Sequence, residues 1–433
     1  MKNRFFKTPE LKTFYILWST QALSQLGSTM TSFALTLWLY QSTGSALRTA
    51  LLSICSYAPY VLLSVFAGAL SDRWDKKKTM LVCDALAAMS TVAVFLLLRL
   101  GILVPWHLYL LNALNGLMNT VQSPASDVAI TLITPRKYYQ RASGLRSFSS
   151  SLTSILHPVL ATALYALGGM NLVIAVDLST FAVAFLSLLF FITLPEENAG
   201  REEESESLPQ AIRGGLQCLR DNPLVLRLIF FLAGVNLVAS AFDAALPAFV
   251  LPHPMGGEGA LGLVTSSAGI AMLLGSLLVS ALPAPKDRIR VILLTMVFSL
   301  TTDNFLMPLS SRPYVWCLAQ VLGYLPVPLM NANLDVIVRS SIPSHMQGRV
   351  YACRNAFQFF TIPIGSFLGG LLIDRVCEPY IAQCAPESLA VRLFGQSGGS
   401  GAGLLIFCLG IAAIVICGIF ALLLRPYHFT EPS

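Results

Sequence analysis

The sequence predicts an all-α membrane protein of twelve transmembrane helices in two pseudo-symmetric six-helix halves. Hydrophobic residues make up 55% of the 433 and charged residues only 12%, and the mean hydropathy is +0.69, well above that of a chain whose main solvent is water. Apolar runs recur at the length of about 20 residues that carries a helix across a hydrocarbon core about 30 Å thick. A set of residue identities also recurs at one fixed offset, which marks an internal repeat.

The first six crossings fall at about 14–40, 47–70, 79–100, 107–132, 147–167 and 171–193. The second six fall at about 223–250, 259–282, 290–308, 314–338, 350–373 and 402–424. The run from Phe14 to Tyr40 is too long for a signal-peptide core and no small-residue cleavage site follows it, so it reads as helix one. Residues 1–193 therefore form an N-terminal bundle and 223–433 a C-terminal bundle. Between them, 194–222 is a polar break made acidic by Glu196, Glu197, Glu202, Glu203, Glu204 and Glu206, which reads as a flexible cytoplasmic linker.

Lys and Arg orient the chain. With these crossings 23 of the 28 basic residues lie on one side, leaving Arg48, Arg99, Arg312, Arg375 and Arg392 on the other. Cytoplasmic loops carry the excess of basic residues, so both termini are expected in the cytoplasm. The net charge of +6 reflects topology and does not imply nucleic acid. Of the nine cysteines, Cys377 and Cys384 share the predicted outer loop after helix eleven, where the compartment would allow a disulfide.

An offset of 208 residues superimposes Asp127 on Asp335, Pro135 on Pro343, Arg141 on Arg349 and Arg146 on Arg354. These lie at the inner ends of helices four and ten and the starts of helices five and eleven, as expected of two copies of one six-helix unit.

After helix two comes Gly68-Ala69-Leu70-Ser71-Asp72-Arg73-Trp74-Asp75-Lys76-Lys77-Lys78. It resembles the signature loop between helices two and three of the major facilitator superfamily. The loop departs from the common pattern at Asp75, where glycine is usual, and at Lys76, where arginine is usual. The aspartate-arginine-aromatic-aspartate-base form is similar to the macrolide-efflux and siderophore-exporter branch, as is Gln347-Gly348-Arg349-Val350 at the start of helix eleven.

The resemblance implies that Gly68 lets helices pack closely and that Asp72, Arg73 and Lys76 hold the inner gate shut in the outward-facing state. It also implies that Asp127 exchanges partners with the bases after helix two and that Asp335 mirrors it. On physical grounds an aspartate at the membrane boundary, such as Asp72, is held by the positive N-terminal end of a neighbouring helix and by nearby arginines, for which Arg349 and Arg354 are the candidates. The plainer alternative is that such charges anchor loops at the headgroups, which is favoured for Lys77 and Lys78. Gly369-Gly370-Leu371-Leu372-Ile373-Asp374-Arg375 resembles the same signature but falls on the outer side, so it reads as a decoy, and the true counterpart is the Ala284–Arg290 loop.

Polar residues inside the runs fall on stripes. Helix four carries Asn112, Asn115, Asn119, Gln122 and Ser126 at spacings of three and four. Helix seven carries Asn236, Ser240 and Asp243, and helix one Gln21, Gln25, Ser28 and Ser32. They either line a central cavity or glue helices together through hydrogen bonds worth about 0.6–2 kcal/mol each. A charge at mid-membrane costs about 2.5–3.5 kcal/mol or more, so Asp177, Asp243 and Asp303 need partners or protons and are the proton-carrier candidates, Asp243 first. His157 before Pro158 either carries a proton or is a neutral ring bonded to a backbone carbonyl, the commoner case. Superfamily antiporters usually show a glycine-proline motif here, and the basic residue usual in helix four is missing, which weakens the case for antiport.

No Walker-type loop, paired-cysteine metal site or His-Glu-x-x-His motif occurs, so neither ATP, metal nor other cofactor is expected. The expectation is a monomeric secondary transporter of the bacterial cytoplasmic membrane that exports an amphipathic small molecule by alternating access, with protons as the coupling ion. Uptake or facilitated diffusion, and a non-transporting receptor on the same fold, are the alternatives.

Overall fold

The computed structural model describes residues 11–194, 208–343 and 346–427, apart from the side chains of 64–73, 208–212, 347–349 and 352. Expectations placed on Gly68, Asp72, Arg73 and Arg349 therefore lie outside the described residues. Among the described residues the chain is helical and has no strand. Nine stretches of it are long and apolar enough to cross a membrane.

The helices are α1 (Lys12–Thr43), α2 (Ala46–Arg73), α3 (Lys76–Arg99), α4 (Pro105–Ile133), α5 (Tyr139–Phe191), α6 (Leu208–Asp221), α7 (Pro223–Val250), α8 (Glu258–Ala281) and α9 (Arg288–Leu306). They continue as α10 (Pro313–Tyr324), α11 (Val327–Ser341), α12 (Gln347–Phe359), α13 (Thr361–Leu372), α14 (Glu378–Gln383), α15 (Leu389–Phe394) and α16 (Ser400–Leu424). A π-helical turn, Ile373–Cys377, joins α13 to α14.

Helix boundaries follow local chemistry. Gly169 breaks the 53-residue α5 at φ 63°, a left-handed conformation that glycine adopts without a Cβ clash. At about 1.5 Å per residue, each of the two helices that meet there, residues 139–168 and 170–191, is long enough to span a hydrocarbon core about 30 Å thick. The run expected at 314–338 is two helices, α10 and α11, because Pro326 and Pro328 interrupt backbone hydrogen bonding there. Similarly, the run at 350–373 divides at Phe360, just before Pro363.

Two compact units emerge: Met1–Trp38 with Cys55–Arg201, and Leu39–Ile54 with Glu202–Ser433. In the first, α3 packs on α4 and α5. In the second, α7 is the central element, packed on α13, α16 and α12. Gly365 of α13 lies so close to the Leu237 carbonyl and Ser240 Oγ of α7 that any Cβ would collide.

One part of the expected linker is structured. Residues 208–221 form the amphipathic α6, packed on α12, and its Leu219 is 1% exposed in a core with Leu228, Ile229 and Leu334. The acidic run dominates the composition of the segment. It conceals a short helix whose buried Gly215 and Leu219 stand four residues apart on one face.

Candidate functional site

In the first unit α1, α3 and α4 converge on Asp84. The Gln122 amide donates to Asp84 Oδ1 at 2.6 Å and the Gln21 amide to Oδ2 at 3.3 Å. Asp84 lies eight residues along α3, about 12 Å from the start of that helix, and all three side chains are half-buried. No cation pairs with it among the described residues. Two amides from different helices thus orient a half-buried acid in a segment where an uncompensated charge is expensive. The sequence reading passed over Asp84. Its signal was a single acid six residues beyond the Lys76–Lys78 cluster in an otherwise apolar run.

Asp177 is only 3% exposed. It accepts hydrogen bonds from the hydroxyls of Thr31 at 2.9 Å, Ser28 at 3.2 Å and Thr91 at 3.5 Å. Gly27 packs directly on it and leaves no room for a Cβ. Three hydroxyl donors in a closed pocket make Asp177 an interhelical fastener between α1, α3 and α5.

The helix-four stripe divides. Asn112 is buried and donates to the Leu108 carbonyl of its own helix at 3.0 Å. Asn115 Oδ1 is buried with no hydrogen-bond partner, and Asn119 is exposed. Gln25 on α1 is exposed as well. His157 Nδ1 lies 2.9 Å from the Thr153 carbonyl, and the ring meets Phe33 edge-on at 5.8 Å, the geometry of a neutral backbone-bonded imidazole.

Near the C-terminal end of α4, Asp127 pairs in this conformation with Arg146 of α5. Lys76 is buried and donates to the Trp74 carbonyl at 3.2 Å. Lys77 donates to the Leu189 and Ile192 carbonyls at 3.0 and 2.7 Å, capping the C-terminus of α5. Asp75, where the common pattern has glycine, caps α3 by accepting from the Lys78 amide at 2.8 Å.

The second unit repeats much of this. Asp335 pairs with Arg354 at 3.3 Å. Arg354 Nε also donates to Gln358 Oε1 at 3.2 Å, and the Gln358 carbonyl accepts from Asn236 at 3.0 Å. This network joins α11, α12 and α7, so Asn236 binds helices together rather than standing free. Asp287 caps α9 through the Arg290 amide at 2.9 Å, as Asp75 caps α3. Arg288, like Lys76 the first residue after such a cap, is buried and donates to Asn333 at 2.9 Å.

Asp243 and Asp303 lie within electrostatic reach of each other. Asp243 is exposed although it sits well inside α7, and it accepts from the Tyr324 hydroxyl at 3.4 Å. Asp303 is buried, and the Gln320 amide spans its two oxygens at 3.2 and 3.3 Å. Neither has a cationic partner among the described residues. The two carboxyls are thus met by neutral donors, the Tyr324 hydroxyl and the Gln320 amide, both carried by α10. Cys377 and Cys384 are free thiols.

Long apolar helices carrying embedded carboxyls, held by amides and hydroxyls instead of cations, define a multi-pass membrane protein. The chain belongs to the Major Facilitator Superfamily, whose family model matches residues 17–302. It is similar to Macrolide efflux protein A of Streptococcus pyogenes, with 24% identity over 84% of this chain and 90% of that protein. It is also similar to the multidrug efflux pump Tap of Mycolicibacterium fortuitum, with 27% identity over 78% of this chain and 83% of that one.

Among solved structures, a bacterial homologue of the human lysosomal transporter Spinster, inward-facing and occupied, superimposes with a TM-score of 0.71 at 14% identity, covering 98% of this chain and 100% of that one. The nucleoside transporter NupG superimposes with a TM-score of 0.67 at 14% identity, covering 95% and 99%. These likenesses establish the fold. Proteins of this family and fold are transporters rather than enzymes.

Proposed function

We propose that the protein is a proton-coupled exporter of amphipathic small molecules, working by alternating access in the bacterial cytoplasmic membrane as a monomer. The observation that carries the coupling is Asp84, an embedded, half-buried acid held by Gln21 and Gln122 with no cation among the described residues. Asp243 and Asp303 supply a second proton site. Likeness to efflux proteins for macrolides and other drugs supports the direction and the substrate class.

The same reading has twelve crossings in halves 1–193 and 223–433, with both termini cytoplasmic. The nine apolar stretches become twelve when the α5 stretch counts twice and α1 and α4 are added. α1 and α4 have 32 and 29 residues, and their polar stripes lower their mean hydropathy. At the inner side Asp72, Lys76 and Asp127 form the gate that favours the outward-facing state.

The test is growth of efflux-deficient bacteria across a panel of amphipathic toxicants, comparing wild type, Asp84→Asn and vector at matched membrane abundance. Export predicts raised tolerance for at least one compound, lost in Asp84→Asn. Tolerance equal to vector throughout removes broad export and favours a solute importer or facilitator.

A further inference from the structure

The signature-like segment after α13 makes a specific connection within the second unit. That unit includes residues 39–54, the end of α1 and the start of α2. The first amides of any helix lack partners within it. Here Asp374 Oδ1 accepts from the Ala46 amide at 2.9 Å, and Oδ2 accepts from the Leu47 amide at 3.1 Å and the Ser45 hydroxyl at 2.5 Å. Ser45 Oγ in turn accepts from the Arg48 amide at 3.1 Å. The first three amides of α2 are thus satisfied, two of them by a carboxylate from far along the chain, placed where the helix dipole favours negative charge.

Two features position Asp374. It lies in the π-helical turn Ile373–Cys377, whose widened backbone redirects side chains. One turn earlier, Gly370 lies against α2, where an added Cβ would come within 2.6 Å of Leu47 Cα and 3.0 Å of the Ala46 carbonyl oxygen. Gly370-x-x-x-Asp374-Arg375 therefore repeats the spacing of Gly68-x-x-x-Asp72-Arg73. Beside it, the Gln41 amide donates to Glu258 at 2.5 Å and the Tyr40 hydroxyl to the Ala248 carbonyl at 3.4 Å. A cleft of about 730 Å³ lined by Tyr40, Gln41, Pro252 and Glu258 leaves this clasp open to solvent.

We propose that Gly370 and Asp374 form an outer lock: the Asp374 carboxylate grips the N-terminus of α2, holds residues 39–54 in the second unit, and lets go when the outer side opens. It rests on the alternating-access reading and extends it, for the Gly68–Asp72 signature stands at the opposite end of the same α2. One helix then carries a lock at each end, and transport alternates between them.

The test needs no substrate, so its failure and the failure of the export reading are distinguishable. In full-length protein with its nine cysteines replaced, Gln41→Cys and Glu258→Cys are introduced together. The rate of their oxidative crosslinking in membranes is read by mass-tagging the thiols that remain. The lock predicts rapid crosslinking with Asp374 intact, roughly fivefold slower in Asp374→Ala, and an intermediate rate in Asp374→Asn or Ser45→Ala. Equal rates in all four at matched abundance overturn it. Should Asp374→Ala fail to reach the membrane, Asp374→Asn and Ser45→Ala decide the matter alone.

Discussion

Arg354 Nη1 reaches Asp335 Oδ1 at 3.3 Å, and Arg146 meets Asp127 in the same way 208 residues earlier in the chain. In each repeat the acid ends one helix and the arginine, nineteen residues on, opens the next. The two pairs are not equally placed: the Arg354 side chain is 12% exposed and that of Arg146 45%. The same bond is therefore the more exposed in the first unit and the weaker there.

Neutralising the first pair should leave the fold intact and impair transport. Exposed ion pairs contribute about 0–1 kcal/mol, so Asp127→Asn is expected to lower the melting temperature by no more than a few degrees. Transport at matched abundance should fall by roughly tenfold, a 1.4 kcal/mol shift between conformations. The charge swap Asp127→Arg with Arg146→Asp should recover part of it. Headgroup anchoring predicts no transport loss from Asp127→Asn.

The buried member of the second pair should behave otherwise. Arg354→Ala strips Asp335 and Gln358 of their donor and loosens the α7–α11–α12 network. A cost of about 1–3 kcal/mol is expected, read as a larger drop in melting temperature than Asp127→Asn gives. Equal drops for the two variants would show that the difference in burial is without consequence.

How much of this was legible in the sequence depends on the kind of signal. Apolar runs report the solvent, so the span of α7 was placed residue for residue and those of α1 to α4 within a few. The repeat was legible because its identities were chemical. The partners of each polar residue were not, since a stripe on one helix does not say what the facing helix offers. Gln21 and Gln122 share no sequence neighbourhood with Asp84, and only packing of α1, α3 and α4 brings them together. The partner of Asp374 was hidden for the same reason, since it is a helix N-terminus more than 300 residues away.

Asp84 and Asp243 should separate coupling from binding. Asp84→Asn keeps the shape of the side chain but cannot release a proton. Uphill efflux should fall at least about tenfold and lose its dependence on external pH, while substrate affinity changes by less than about threefold. Tyr324→Phe removes the hydroxyl that holds Asp243 and should displace the pH profile while preserving maximal transport. Isotope flux in vesicles with imposed pH gradients checks both. An unchanged pH profile in Asp84→Asn would remove that residue from the coupling path.

Asp177, by contrast, should be a residue of stability. It is closed off from solvent, its oxygens are met by three hydroxyls, and Gly27 seals its side. Asp177→Ala leaves Thr31 and its neighbours without an acceptor beside a small void, at a cost of about 1–3 kcal/mol for the unmet hydrogen bonds and more for lost packing. The expected result is a melting temperature lowered by several degrees in detergent and reduced membrane abundance, with transport per surviving molecule near that of wild type. Asp177→Asn, which retains an acceptor oxygen, should recover about half of the lost stability. Were Asp177→Asn instead to melt like wild type yet abolish pH-dependent efflux, the hydroxyl pocket would be a proton site and the fastening role would pass to its neighbours.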